Sequence, residues 1–189
     1  MRWMIASDIH GSAVFCRQML KRYDEEHADR LLLLGDLLYH GPRNDLPEGY
    51  APKEVIAMLN DRKDELLCVR GNCEAEVDQM VLHFPVMADY AIIPNGKNII
   101  YVTHGHHASE QTPPPLKEGD ILLHGHTHVP KCVSHETFVY MNPGSVSIPK
   151  ENSPRSYMIY DDGIFEWKRL DDGSVYMRAD MRDGQKHEK

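Results

Sequence analysis

Short apolar runs recur along this chain, and five of them stop abruptly at a residue able to bind a metal. Trp3-Met4-Ile5-Ala6-Ser7 leads into Asp8 and His10, and Leu31-Leu32-Leu33-Leu34-Gly35 leads into Asp36. Leu66-Leu67-Cys68-Val69-Arg70-Gly71 leads into Asn72, Ile99-Ile100-Tyr101-Val102-Thr103 into His104, and Ile121-Leu122-Leu123-His124-Gly125 into His126 and His128. Apolar runs of roughly four to eight residues bounded by turn residues read as buried strands. Ligands of α/β sheets gather just beyond the carboxyl ends of such strands. If the five tips converge, they carry two aspartates, one asparagine and four histidines to one place, too many for one ion and about right for two.

The intervening segments predict helices and a loop. Ser12 is a good N-cap, and Cys16, Met19, Leu20 and Tyr23 recur at helical spacing, so a helix is predicted from about Ser12 to His27. Residues 35–51 are rich in Gly, Pro and Asn and read as a long loop, of a kind that usually carries function. Pro52 suits the first turn of a second helix, with Val55, Ile56 and Leu59 facing inward. A third, short helix is expected from about Glu74 through Val77, Met80 and Val81 to His83. The pattern then changes. Asn95-Gly96 reads as a hairpin turn, and Asp161-Asp162-Gly163 and Asp171-Asp172-Gly173 punctuate short β runs, so the second part reads as mainly antiparallel strand. Together these elements suggest a β-sandwich core with helices on its outer faces. A plain α+β fold has the same element order, and periodicity alone does not separate the two. Residues 1–180 are expected to form one domain and 181–189 a polar tail, with His187 a surface residue.

Composition narrows the setting. With 189 residues, 41% apolar and 26% charged, the chain is an ordinary soluble globular sequence within the range of one domain. No apolar run approaches the roughly 20 residues of a membrane helix, and Trp-Met-Ile-Ala is too short for a signal-peptide core. A cytoplasmic location, with no membrane partner, is expected. Cys16, Cys68, Cys73 and Cys132 show neither CxxC spacing nor a disulfide framework, and all but Cys73 read as small buried hydrophobes. A net charge of −8, from 21 basic and 29 acidic residues, argues against a grip on extended nucleic acid. Two divalent ions offset by two aspartates and a hydroxide still leave about one positive charge to attract a single phosphate.

Each motif alone is modest. Asp8 and His10 stand two apart and project to one side of extended backbone, about 6–7 Å apart along the chain. Asp36 by itself reads as a turn carboxylate, although a carboxylate can also bridge two ions. Asn72 offers a neutral oxygen, or caps a helix. The density of histidine is harder to assign to packing: His104-Gly105-His106-His107 and His124-Gly125-His126-Thr127-His128 hold six of the twelve histidines. No paired cysteines accompany them as a zinc finger requires. Oxygen and imidazole donors without thiolate favour manganese, iron or zinc over copper, with magnesium less suited. Two ions about 3.5–4 Å apart can hold a hydroxide and neutralise phosphoryl oxygens during in-line attack. No GxSxG, P-loop or GxGxxG motif offers competing chemistry.

In order and spacing, Asp8-x-His10, Gly35-Asp36, Gly71-Asn72, Thr103-His104-Gly105-His106 and Gly125-His126-Thr127-His128 resemble the five motifs of the calcineurin-like metallophosphoesterases. Residues 40–44, 46–52, 70–73 and 142–149 resemble more narrowly the bacterial YfcE-type phosphodiesterases. The resemblance implies an α/β (α+β) fold: a four-layer αββα sandwich, two mixed β-sheets flanked by helices. It implies that Asp8, His10, Asp36 and His128 hold one ion and Asp36, Asn72, His104 and His126 the other, with Asp36 bridging. It also implies manganese-dependent activity (zinc, iron or magnesium as alternatives), a small phosphate-ester substrate, and a homodimer as the family's assembly.

One residue departs from the pattern. Many relatives carry His after the Gly-Asn pair, thought to help protonate the leaving group, and here that position is Cys73. A thiol near its reference pKa of about 8.5 is mostly protonated at pH 7 but donates more weakly than imidazolium. Diesters or activated esters are therefore expected over alkyl monoesters. His106, Cys73 and Arg43 are the expected catalytic residues. His106 would contact the phosphate or support the metal shell, and His40 and Arg43, on the long loop, would either approach the phosphate or form a solvated turn. His27, His83, His107, His124 and His135 are expected to be structural. The implied activity is a dinuclear-metal phosphodiesterase acting through a bridging hydroxide. The alternatives are a monoesterase or nuclease of the same chemistry, or a protein-binding scaffold such as this fold forms in a small subunit of the retromer coat. The full set of seven ligand residues argues against the scaffold.

Overall fold

In a computed structural model of the chain, residues 1–182 are described; His187 and the expected tail beyond residue 182 lie outside the described residues. All five apolar runs are strands: Trp3–Ala6 (β1), Arg30–Leu33 (β2), Leu66–Cys68 (β3), and, after the edge strand Tyr90–Asn95 (β4), Asn98–Thr103 (β5) and Asp120–Leu123 (β6). Lys131–Ser134 (β7), Phe138–Asn142 (β8), Ser156–Asp161 (β9), Ile164–Arg169 (β10) and Val175–Asp180 (β11) complete two sheets. Their orders are β11-β10-β9-β1-β2-β3 and β4-β5-β6-β8-β7. Both sheets are mixed. β1, β2 and β3 run parallel in the first, as do β5, β6 and β8 in the second, while the remaining pairs are antiparallel. The second part is mainly antiparallel, as expected, except at the centre of the second sheet, where β5, β6 and β8 run parallel. Run length reports burial, not the direction of a neighbour.

Strand periodicity sorts the core into layers. Ile5, Leu32, Leu34, Val102, Ile121, Leu123, Met141, Phe165 and Trp167 fill the space between the sheets. Met4, Ala6, Leu31, Leu33, Tyr157 and Ile159 point from the first sheet toward the helices. Ala13–Glu25 (α1) begins where expected, with Ser12 accepting from Phe15 N at 3.3 Å, and buries Cys16, Met19, Leu20 and Tyr23. Pro52–Asn60 (α2) buries Val55 and Leu59, with Ile56 half-buried. On the outer face of the second sheet, Leu122, Phe138 and Tyr140 are met by Leu116 from the irregular segment after β5.

The hairpins behave as their turn residues dictate. Asn95 pairs with Asn98, so the β4–β5 turn is Gly96-Lys97, one residue later than the expected Asn95-Gly96 centre. Asp162 and Gly163, at φ 46° and 80°, join β9 to β10 with the two positive φ values that a type I′ turn needs.

The third helix is shifted. Glu76–Val81 (α3) starts two residues later than expected, and its apolar side chains are not inward: Val77 is 62% and Met80 80% exposed. Glu74 is drawn the other way, into the interior. Among the cysteines, Cys16 and Cys68 are buried and Cys132 is only half-buried, and none of the four forms a disulfide.

Candidate metal centre

The carboxyl ends of the parallel strands of both sheets open onto one site. After β1 and β2 the chains continue side by side: Asp8 N donates to Gly35 O at 3.2 Å and His10 N to Asp36 O at 2.9 Å. The loops after β2 and β3 touch so closely that a Cβ on Gly35 would lie 2.4 Å from Gly71 N, and one on Gly71 would lie 2.1 Å from Asp36 Oδ1. Only glycine permits that approach. Five of the residues brought together, Asp8, His10, Asp36, His126 and His128, have φ between 48° and 65°. Such left-handed backbone costs on the order of 1–3 kcal/mol per residue and gathers at functional sites.

The side chains fall into two groups that share one carboxylate. In the first, Asp8 Oδ1 lies 3.3 Å from His128 Nε2 and 3.6 Å from His10 Nε2, and the two imidazole nitrogens are 3.3 Å apart. In the second, His104 Nε2 is 3.1 Å from Asn72 Oδ1 and 3.2 Å from His126 Nδ1. Asp36 Oδ2 stands between them, 3.7 Å from His10 Nε2 and 3.5 Å from His104 Nε2. The first group is buried, whereas Asn72 is exposed and His126 half-buried, so the site opens to solvent on the second side.

Backbone carbonyls aim the rings. Nδ1 of His10, His104 and His128 lies 2.8, 2.6 and 2.6 Å from the carbonyls of Tyr39, Leu34 and Ile148. Donating there leaves Nε2 inward as the ligand atom. Backbone groups hold the carboxylates too: Asp8 Oδ2 accepts from His126 N and Asp36 Oδ1 from Cys73 N.

The donor set fits divalent cations. Asp8 Oδ1 is fully buried and has no hydrogen-bond donor among the described residues, a costly state for a carboxylate that a coordinated cation removes. The titration of the rings reflects the same deficit of positive charge. Burial pulls the His104 imidazole down, but hydrogen bonding to Asp36 and the facing Asp8 carry it up to about 9. His10 likewise rises, burial being outweighed by Asp8, while burial leaves His126 and His128 below their ordinary value. The Asp8 carboxyl is pushed up by burial yet ends well below its usual range, through His10 and the facing His128.

The other expected residues lie at different depths. Cys73 is half-buried, with its thiol within 4.8 Å of ligand atoms of His10 and Asp36. Burial, then the Asp36 charge, pushes it far up, so it is a protonated thiol. His106 lines the rim, its ring 5.5 Å from His104 and 6.4 Å from His126, with a buried Nδ1 that has no partner. Burial and neighbouring histidines pull it down to about 4. His40 packs against Tyr39 and Tyr50. Arg43 is exposed and lines a groove beside the centre. His124 is buried, its ring stacked on Tyr140 with centroids 4.4 Å apart. His135 pairs with Glu110.

Sequence reasoning missed three positioning residues. The buried Glu74 carboxylate accepts from Asp36 N, Leu37 N and Gly71 N at 2.8, 2.7 and 2.6 Å, tying the post-β2 loop to the post-β3 loop. Nothing in the sequence separates it from an ordinary helix-start acid. Ser145 and Ser147 each donate a hydroxyl to Asp8 O at 2.9 Å. Their two-residue spacing in Gly144-Ser145-Val146-Ser147 was the available signal.

Two mixed sheets whose carboxyl edges surround a carboxylate–imidazole cluster define a metallophosphoesterase type of architecture. Residues 1–162 match the calcineurin-like phosphoesterase superfamily domain, and the chain belongs to that family. It is 43% identical over 175 residues to phosphodiesterase YfcE of Escherichia coli strain K12, covering 93% of this chain and 95% of that protein. The solved structure of E. coli YfcE, described as a phosphoesterase, superposes with a TM-score of 0.93 at 42% identity, over 96% of this chain and 100% of that one. The probable metallophosphoesterase YsnB of Bacillus subtilis is 26% identical over 84% of this chain and 83% of its own length. Vps29 of Entamoeba histolytica shares the fold, with a TM-score of 0.60 at 22% identity over 95% of this chain and 99% of its own.

Proposed function

We propose that this chain is a dinuclear-metal phosphodiesterase, with Asp8, His10, Asp36 and His128 holding one ion and Asp36, Asn72, His104 and His126 the other. The observation that carries the reading is the shared carboxylate: Asp36 Oδ2 stands 3.7 and 3.5 Å from the inward nitrogens of His10 and His104, beside an Asp8 oxygen without a donor. The 43% identity to a phosphodiesterase supports the reaction class. Bound there, two divalent cations supply the charge that offsets a phosphoryl group and the acidity that makes water nucleophilic near neutral pH. Imidazole and oxygen donors suit manganese, with zinc or iron as competitors. Four cysteines with neither CxxC nor disulfide-framework spacing suit a reducing, cytoplasmic setting.

The chain's own groups orient and restrain. Glu74 and Ser145/Ser147 hold the Asp36 and Asp8 loops. His106, neutral at the rim, donates a hydrogen bond to a phosphoryl oxygen on the solvent side. Cys73, held as a thiol beside Asp36, is a weak donor to a departing oxygen. Phenolates and other stable leaving groups are therefore preferred over alkoxides, and diesters over alkyl monoesters.

The test is a panel of aryl and alkyl diesters and monoesters assayed with Mn²⁺, Mg²⁺, Zn²⁺ or chelator, alongside Asp36→Asn. Diester hydrolysis that needs metal and Asp36 is the expected result. Hydrolysis indifferent to chelation and to Asp36→Asn would sink the metal mechanism, and a clear preference for alkyl monoesters would sink the diesterase assignment.

A further inference from the structure

Beside the centre two loop segments enclose an open groove of about 460 Å³, one wall being residues 43–48 and the other residues 147–149. Each wall lies close along the chain to a carbonyl that holds a ring of the centre. Tyr39 O meets His10 Nδ1 at 2.8 Å and Ile148 O meets His128 Nδ1 at 2.6 Å. On the Ile148 side, a single imidazole separates the groove from the inward nitrogens.

Two arginines line it, and neither forms an ion pair among the described residues. Arg155 is fixed in place without using its terminal nitrogens: Nε donates to Ser147 O at 3.2 Å, and the guanidinium lies 3.9 Å over the Phe15 ring. Arg43, on the opposite wall, has no partner at all among the described residues. Asp45 and Glu48 line the same groove yet approach neither arginine closely enough to pair. In a chain of net charge −8, two arginines left without a counter-ion in one groove form a local anion site. A stacked, planar guanidinium offers a bidentate fork to carboxylate or phosphate, and fixing it beforehand reduces the ordering cost of binding.

We propose that Arg43 and Arg155 form a subsite for an anionic group carried on one ester arm of the substrate, so that preferred substrates are phosphodiesters with one arm ending in a phosphate or a carboxylate. This rests on the phosphodiesterase reading above.

The test uses p-nitrophenyl diesters whose second arm, matched in length, ends in methyl, trimethylammonium, carboxylate or phosphate. Metal-loaded wild type should favour the anionic arms over the methyl arm in kcat/KM by about tenfold or more. The order of phosphate and carboxylate then separates the two anion sources. In Arg43→Gln that ratio should collapse toward unity, in Arg43→Glu it should turn toward the trimethylammonium arm, and in Arg155→Lys, which keeps the charge but loses the fork, it should fall between. A readout independent of turnover is the Arg155 Nε–H NMR signal of chelator-treated protein titrated with inorganic phosphate. It should shift saturably in wild type and much less in Arg43→Gln. Efficient hydrolysis with equal kcat/KM for every arm overturns the subsite while leaving the diesterase reading intact, as does an anionic preference that survives both Arg43→Gln and Arg155→Gln. No hydrolysis of any of these diesters overturns that reading and the subsite together.

Discussion

At the carboxyl end of α1 the Glu26 carboxylate is surrounded by donors: Arg2 Nη2 at 2.8 Å, Tyr157 Oη at 2.7 Å, and Lys168 Nζ in direct contact. At the far end of β1 the Asp8 and Asp36 carboxylates, withdrawn further from water than Glu26, face imidazoles and each other, and Asp8 Oδ1 has no donor among the described residues. The first cluster is electrically closed. Burial pushes the Glu26 carboxyl up, but hydrogen bonds from Lys168, Tyr157 and Arg2 outweigh it and leave it below its ordinary range. The second cluster is left short of positive charge. A buried charge matched by its own protein serves folding, whereas one left unmatched points to something that arrives from outside.

The largest effect should separate the two clusters by activity. Asp36→Asn is expected to lower metal-dependent diester turnover by about a thousandfold or more, while Glu26→Gln should leave it within about twofold, measured as kcat at saturating metal. Stability should then divide the opposite way. Glu26→Gln leaves Lys168 and Arg2 partly buried without their carboxylate, which should cost about 2–4 kcal/mol in urea unfolding, the lower end reflecting the solvent that reaches Arg2. Added Mn²⁺ should raise the stability of wild type and not that of Asp36→Asn. A Glu26→Gln protein as stable as wild type would erase the contrast.

Smaller again, Glu74→Gln replaces a carboxylate that accepts three backbone N–H groups. A loss of roughly 10–100-fold in metal affinity is expected, read by calorimetric titration. Unchanged affinity would reduce Glu74 to a loop staple.

The smallest effect concerns pH. Because the folded pKa of Glu26 is depressed, its contribution is complete above the unfolded value of about 4.3 and is lost as pH falls through the lower folded value. Between those two values wild-type stability should therefore fall more steeply with acid than the stability of Glu26→Gln. Parallel acid limbs would count against the depressed carboxyl.

Much of the centre was legible because strand length, burial and ligand chemistry coincide. An apolar run ending in Asp, Asn or His can be read residue by residue, and all five such runs are strands whose tips converge. What escaped depends on neighbours. The parallel pairing of β5, β6 and β8 leaves the same periodicity as antiparallel pairing. Val77 and Met80 keep helical spacing although both stay largely exposed. Glu74 sits in an unremarkable polar context, and its role appears only when the loop after β2, nearly forty residues earlier, closes on it. Cys132 looks like a core residue by type, but its strand, β7, is the sheet's edge.

The left-handed backbone at Asp8, His10, Asp36, His126 and His128 narrows the amino-acid repertoire at these positions before any cation enters. Among non-glycine residues, Asn, Asp and His tolerate that conformation best, and β-branched residues worst. Drift at these sites is thereby channelled toward Asn, a substitution that spares the loop and weakens the ligand by removing its charge or its imidazole. A lineage could thus retire the chemistry in single steps while keeping the scaffold. For the same reason, alanine scanning of these five positions would conflate conformational penalty with lost coordination, which asparagine scanning avoids.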